Sequence, residues 1–137
     1  MNDYRVAIVI NPALPLGLVA NTAATLAAGL GSRHPQLLGG QLAEGSGLLL
    51  DLSAKLPVPI LQADADTLCA LWQRSEGANA IKAVAVFPAF ARQLHNFDDY
   101  RQQLPERRLA EEALDGIAFC GPKKWVTSLT GALKLLR

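Results

Sequence analysis

The sequence predicts an α/β domain of three layers, in which a small, mostly parallel mixed sheet lies between helices. Short apolar runs alternate along the chain with amphipathic stretches, and this alternation is typical of strands connected by helices. Half of the 137 residues are hydrophobic and 18% are charged, a composition that supports a packed core. We expect one domain over residues 1–137, with about four core strands plus a β-hairpin.

The first predicted elements are a strand and a helix rich in alanine. Residues Arg5–Ile10 include an unbroken apolar run, which favours a central strand covered on both faces. Two prolines within residues 11–17 end that strand, because proline cannot donate to a sheet. A helix is predicted over Leu18–Leu30, ending near Gly29 and Gly31.

The middle of the chain predicts a hairpin, a strand and a second helix. Residues 37–51 contain two apolar stretches around a turn rich in glycine, which indicates a β-hairpin. Residues 57–63 form the next candidate strand. Asp64 and Asp66 suit the start of a helix that we expect to stop near Gly77.

The last third of the chain predicts two more core strands and further helices. Residues 80–87 and 114–120 are the candidate strands, and the polar residues 89–112 between them predict two short helical pieces broken at a proline. From Lys123 the pattern becomes helical again. Residues 133–137 suit either the end of that helix or a tail.

Charge and cysteine content exclude several classes of protein. Thirteen Lys and Arg stand against twelve Asp and Glu, and this net charge of +1 argues against a dedicated nucleic-acid binder. No apolar run approaches the roughly 20 residues that span a bilayer. Two cysteines and no signal segment at the start predict a cytoplasmic protein with reduced thiols. His34 and His95 lie far apart and indicate no metal site, and without a glycine-rich phosphate loop we expect no cofactor.

The turn from Gly121 to Lys124 is the most suggestive local motif. Its proline suits a first helical position, so Lys123 and Lys124 would lie in a first turn, where the helix dipole disfavours positive charge. A small anion bound there would resolve the conflict. The alternative is a solvated helix start, which costs only about 0.3–1 kcal/mol. Cys120 beside the turn is either an activated thiol or a buried core residue.

Several spaced motifs resemble known families. The stretch from Val6 to Ala23 resembles the strand–loop–helix opening of type 2 peptidyl-tRNA hydrolases. Over nearly its whole length the chain is similar to an uncharacterised bacterial family that shares the fold of those hydrolases. The further matching motifs are the helix end Ala28–Leu30, the segments Pro57–Leu61 and Ala63–Ala65, and Gly116–Ala118 running into Gly121–Val126.

The resemblance implies the hydrolase fold, and it implies a homodimer, because the hydrolases are dimeric. The hydrolases carry a lysine and a glutamine at the start of the first helix, and an aspartate after a later core strand. The matching positions here are Leu18, Thr22 and Pro88–Ala89. Because leucine supplies neither a charge nor a proton, we expect the fold without the catalysis and no catalytic residues.

We therefore expect a domain that binds a small ligand or a partner protein without hydrolase activity. Open α/β sheets bind ligands at the carboxyl ends of their strands, and we expect the site in that crevice. The alternative is an esterase that acts on peptidyl-tRNA or a related acylated substrate. The candidate ligand-binding residues are Asn11, Asn21, Thr22, Gly121, Lys123 and Lys124.

Overall fold

A computed structural model describes residues 3–137 as seven strands and four α-helices, joined in places by short 3-10 turns. The strands are β1 (Tyr4–Ile10), β2 (Gln41–Ala43), β3 (Leu49–Asp51), β4 (Ile60–Gln62), β5 (Ala83–Pro88), β6 (Leu114–Pro122) and β7 (Lys134–Leu135). The helices are α1 (Leu16–Arg33), α2 (Ala65–Ser75), α3 (Phe97–Gln103) and α4 (Lys123–Thr130). The 3-10 turns are Pro35–Leu37, Ala89–Gln93, Leu104–Glu106 and Leu109–Glu111.

Five of these strands form one sheet in the order β5-β6-β1-β4-β7, and β2 and β3 form a separate hairpin. The centre of the sheet is the antiparallel pair of β1 and β6, which runs from Tyr4 opposite Pro122 to Ile10 opposite Gly116. Within residues 3–137, only β1 and β4 pair in parallel. The mixed sheet is therefore confirmed, but the prediction that it is mostly parallel is wrong. A strand buried on both faces has the same apolar sequence in either direction, so the pattern could not decide this point.

Helices cover both faces of the sheet, which confirms the three predicted layers. On one face Val6, Ile8 and Ile10 of β1 pack with Leu26 and Leu30 of α1. The intervening residues of β1 pack on the other face against α2 and α4. This division follows from the alternation of side chains along a strand, which sends successive residues to opposite faces.

The predicted helices are present, with boundaries that packing explains. The first helix continues past its predicted end at Leu30 as far as Arg33, so Gly29 and Gly31 lie inside the helix and do not end it. A Cβ added to Gly29 would lie 3.9 Å from that of Ala85 in β5, so this position faces the sheet at close range. The predicted start of the second helix is confirmed, because Asp64 Oδ1 accepts a hydrogen bond from Thr67 N at 2.8 Å.

The predicted hairpin and the end of the chain also have defined structures. β2 and β3 pair antiparallel within residues 37–51, which confirms the hairpin. The chain end is neither of the two expected structures. Lys134–Leu135 forms a short strand along β4, and Leu136 N donates to Ile60 O at 2.9 Å. Among residues 3–137, none of the helices has the length and apolar character that crossing a membrane requires.

Gly116 should tolerate no larger residue, because β1 and α1 close around it. A Cβ there would lie 2.8 Å from Thr22 Cγ2 and 3.0 Å from Val9 O. Gly116→Ala should therefore lower the free energy of unfolding by about 1–3 kcal/mol in a denaturant titration. Gly45→Ala is the matched control, because Gly45 has nothing within 4 Å of an added Cβ. Equal stability of the two variants would contradict this packing.

Candidate functional site

The register of β1 and β6 separates the predicted ligand-binding residues into two groups. Asn11 follows β1 at one end of the sheet, where its N–H donates to Asp115 O at 3.0 Å. Lys123 lies at the other end, where its N–H donates to Asp3 O at 2.6 Å. The seven residues of β1 between them span about 20 Å. The six predicted residues therefore do not line one crevice, and that part of the prediction is wrong.

The group at the Asn11 end is largely occupied by local structure. Asn11 Oδ1 accepts a hydrogen bond from Ala13 N at 3.0 Å and so shapes the turn before α1. Thr22 is 1% exposed, and its methyl group packs against Gly116. Asn21 is exposed on α1, and Leu18 is half-buried. Of this group, Asn21 alone presents an exposed side chain.

The Gly121–Lys124 turn has a structural explanation of its own. Gly121 is buried, and a Cβ there would lie 2.9 Å from the ring of Trp125. This glycine therefore lets the indole pack down onto the strand, where it also meets Phe119 edge to face at 5.6 Å between ring centroids. Lys123 and Lys124 are exposed. Binding of an anion by these lysines stays a prediction.

The two other chemical groups noted in the sequence are not arranged for catalysis. Cys120 is completely buried, and burial raises the pKa of its thiol, although Arg33 has a smaller opposing effect. A raised pKa disfavours the thiolate, so the structure favours a core role for this cysteine. His34 is buried beside the ring of Tyr4, and its pKa is lowered mainly by that burial. Within residues 3–137, no three potential metal ligands lie together.

A cavity that the sequence did not predict lies between α1, the end of β5 and the start of α3. Its volume is about 410 Å³. The walls are mostly apolar, and polar groups occur at a few points. The lining residues are Thr25, Leu26, Ala85, Val86, Phe87, Pro88, Ala91, Leu94, His95, Asn96, Phe97 and Tyr100.

The polar groups of the cavity can donate hydrogen bonds. Burial raises the pKa of Tyr100, so its phenol stays protonated at neutral pH. Asn96 Oδ1 caps α3 by accepting from Asp99 N at 2.9 Å, which leaves the side-chain NH₂ of Asn96 for other partners. His95 is exposed at the mouth of the cavity. Together these groups suit a ligand with an apolar body and an accepting or anionic group.

An ion pair fixes the wall of the cavity to the centre of the sheet. Arg92 belongs to the 3-10 turn Ala89–Gln93, whose Ala91 lines the cavity. Arg92 Nη2 donates to Asp115 Oδ1 at 3.1 Å, and Arg92 Nε lies 2.7 Å from Oδ2. The Asp115 side chain is 4% exposed, so the guanidinium compensates a carboxylate that water cannot reach.

A second set of contacts holds the same wall from outside. The ring of Phe90 lies 5.9 Å from that of Tyr100, centroid to centroid. Arg107 Cζ lies 4.0 Å from the centroid of Phe90, and Arg107 also forms an ion pair with Glu112 at 2.8 Å. The cation stacked on the ring and the ion pair restrict the position of Phe90. The turn that forms the wall is thus held at two of its five residues, Phe90 and Arg92.

The sequence contains a signal for the ion pair, within a predicted strand that is otherwise apolar. Asp115 is the charged residue within the candidate strand 114–120. A carboxylate in a strand buried on both faces requires a partner, since an uncompensated buried charge is very costly. The partner, Arg92, lies 23 residues away in a segment without a strong pattern, so it could not be chosen from the sequence.

Comparison with known proteins identifies a family. The model of the family described as "Protein of unknown function (DUF2000)" matches residues 4–137. The chain belongs to the DUF2000 family. No curated protein matches it.

A solved structure shares the fold of this DUF2000 chain. It is described as a protein of unknown function, Atu0240, from Agrobacterium tumefaciens strain C58. The TM-score is 0.88 over 98% of each chain, at 20% sequence identity. At this identity the likeness establishes the fold of the DUF2000 chain and nothing about its ligand.

The Arg92–Asp115 pair should be coupled energetically, since one partner is buried. Arg92→Met and Asp115→Asn should each destabilise the protein, and the double variant should lose less than the sum, by about 1–3 kcal/mol. Denaturant titrations give the free energy of unfolding of the wild type, the two single variants and the double variant. Arg108→Met is the matched control, because this exposed arginine belongs to the same segment and its side chain has no ion pair among residues 3–137. Additive effects would contradict the coupling.

Proposed function

We propose that the protein binds a small, mostly apolar molecule in the cavity between α1, β5 and α3. The observation that carries the proposal is the cavity. Its volume of about 410 Å³ lies within the range of roughly 300–1,000 Å³ that is usual for small-molecule sites. A second apolar cavity, beside Leu30 and Leu56, has a volume of only about 50 Å³ and is too small for such a ligand.

The lining of the larger cavity supports one class of ligand. Aromatic and aliphatic side chains such as Phe87, Leu94 and Phe97 provide an apolar surface for a ring or a branched chain. The phenol of Tyr100 and the amide of Asn96 provide donors for one polar group. Arg92 and Asp115 hold the wall in place without a ligand, so little conformational entropy is lost on binding.

Titration with 8-anilinonaphthalene-1-sulfonate tests this proposal, because the probe combines aromatic rings with one anionic group. We expect saturable binding of one molecule per chain. Thr25→Phe should weaken it at least about tenfold, or about 1.4 kcal/mol, because a phenyl ring at this exposed lining position takes up part of the cavity. Helix propensity changes little between threonine and phenylalanine.

Ala24→Phe is the matched control for this titration. Ala24 is exposed on the same helix and does not line the cavity, so its variant should bind the probe as tightly as the wild type. Equal weakening by both variants, or no saturable binding to the folded wild type, would contradict the proposal. Circular dichroism on each variant verifies that α1 is intact.

An esterase that acts on peptidyl-tRNA, on a fold of the type 2 hydrolase kind, is the second candidate. One observation favours it: a carboxylate, Asp115, and a cation, Arg92, lie together at the sheet end where α1 begins. Against it, this carboxylate is buried in an ion pair with the guanidinium, and the hydrolase lysine position is Leu18. Hydrolysis of N-acetylated aminoacyl-tRNA, with binding that weakens steeply as salt rises, would support the esterase. Absence of both at low salt would dismiss it.

A further inference from the structure

The β2–β3 hairpin projects from the domain as an arm. We define the arm as residues 40–55, which are sixteen consecutive exposed positions. Its base is joined to the domain by hydrogen bonds, from Gly39 N to Ser53 O at 3.1 Å and from Lys55 N to Leu37 O at 2.7 Å. Beyond that base the two strands of the arm pair only with each other among residues 3–137.

The arm has a defined conformation, although the domain does not cover it. Leu52 N donates to Gly40 O at 2.7 Å, and Glu44 N donates to Leu48 O at 2.9 Å, so the ladder extends beyond β2 and β3 on both sides. At the tip, the Glu44 carboxylate accepts from the backbone N–H groups of Ser46 and Leu48. Hydrogen bonds, the strongest from the Ser46 side chain, lower the pKa of Glu44.

One face of the arm is composed of leucines. Leu42 lies directly opposite Leu50, and the same register places Leu48 and Leu52 on that face as well. Their exposed fractions are 59% for Leu42, 71% for Leu48, 44% for Leu50 and 39% for Leu52. The other face carries a hydrogen bond between Gln41 Nε2 and Asp51 Oδ1 at 2.9 Å. Apolar residues gathered on one face of an exposed hairpin mark an interaction surface.

A two-stranded hairpin is only marginally stable in water unless something packs on its apolar face. The charge of the arm narrows what that partner can be. Glu44 and Asp51 are its acidic residues, and Lys55 at the base is its single basic one. A nucleic acid or an anionic membrane would require a basic surface instead. The arm therefore suits a protein partner.

This chain itself has a second groove, and its chemistry complements that of the arm. The groove has a volume of about 380 Å³ and lies beside the start of β1. Its walls are mostly apolar, and they include Arg5, which is exposed and whose guanidinium donates to Tyr4 O at 2.9 Å. An acidic tip with exposed leucines complements an apolar groove with a cation. The groove residues are Tyr4, Arg5, Val6, Leu56, Pro57 and Pro59.

We propose that two copies of this chain exchange arms, so that Leu48 and Leu50, on the leucine face of each arm, enter the groove of the other copy near its Arg5. Each copy contributes both an arm and a groove, so each side of the interface contains leucines of the arm face and the groove residues of the same chain. The two copies would be related by a two-fold axis, so that every contact between arm and groove occurs twice in the dimer. This inference concerns the dimer and does not depend on the ligand proposed above.

Sedimentation equilibrium of the full chain tests the exchange. The wild type should have twice the chain mass of 14.6 kDa at micromolar concentration. The double variant Leu48→Lys/Leu50→Lys, which we call the tip variant, should raise the dissociation constant of the dimer at least roughly a hundredfold, because each arm loses two leucines of its apolar face. Leu16→Lys is the matched control, since Leu16 is 84% exposed but lies outside arm and groove, and it should leave the dimer unchanged.

Mixing two defective variants separates arm exchange from other dimers. The double variant Arg5→Glu/Pro57→Glu has an altered groove and an intact arm. The tip variant has an altered arm and an intact groove. Each alone should be monomeric, and the mixture should form a heterodimer of intermediate affinity through its one intact arm–groove contact. A monomeric wild type, a dimer that survives the tip variant, equal loss with Leu16→Lys, or a mixture that stays monomeric would overturn the proposal.

Discussion

The antiparallel pairing of β1 with β6 is the constraint on which the rest of the structure depends. From Val6 to Ile10 and from Leu114 to Cys120 every residue of these two strands is buried, and each strand has a second neighbour on its other side. A shift of one residue in either strand would exchange its two sets of side chains between the helix layers. The contact of Gly116 with Thr22 depends on this register, because the position of β6 that faces Thr22 must have no side chain.

The direction of β6 also decides which chemical groups can meet. It brings Asp115 to the end of the sheet where Asn11, the end of β5 and the start of α1 converge, and it carries Lys123 to the opposite end. The buried carboxylate then requires a cation, and Arg92 supplies it from the turn after β5. The position of the cavity wall follows from that pair. A candidate site based on Lys123 and Lys124 would have to work without the residues near Asn11.

The sequence predicted the elements well because each depends on local chemistry. Proline after Ile10, the cap at Asp64 and the apolar run before Gly121 act within a few residues, and the structure has strands and helices at those places. The direction of each strand could not be predicted, because an apolar run buried on both faces has the same sequence pattern in parallel and in antiparallel pairs. The cavity could not be predicted from the sequence either, because Thr25, Phe87 and His95 are far apart in the sequence and come together only in the folded chain.

Cross-strand proton contacts in a nuclear Overhauser spectrum would test the pairing of β1 and β6 most directly. The structure predicts that backbone protons of Arg5 lie close to those of Gly121, and those of Val9 close to those of Ile117. A parallel arrangement would instead bring Arg5 near Asp115 and Val9 near Phe119. Contacts of that second kind would contradict the register, and with it the position of the Arg92–Asp115 pair and of the cavity that it holds open.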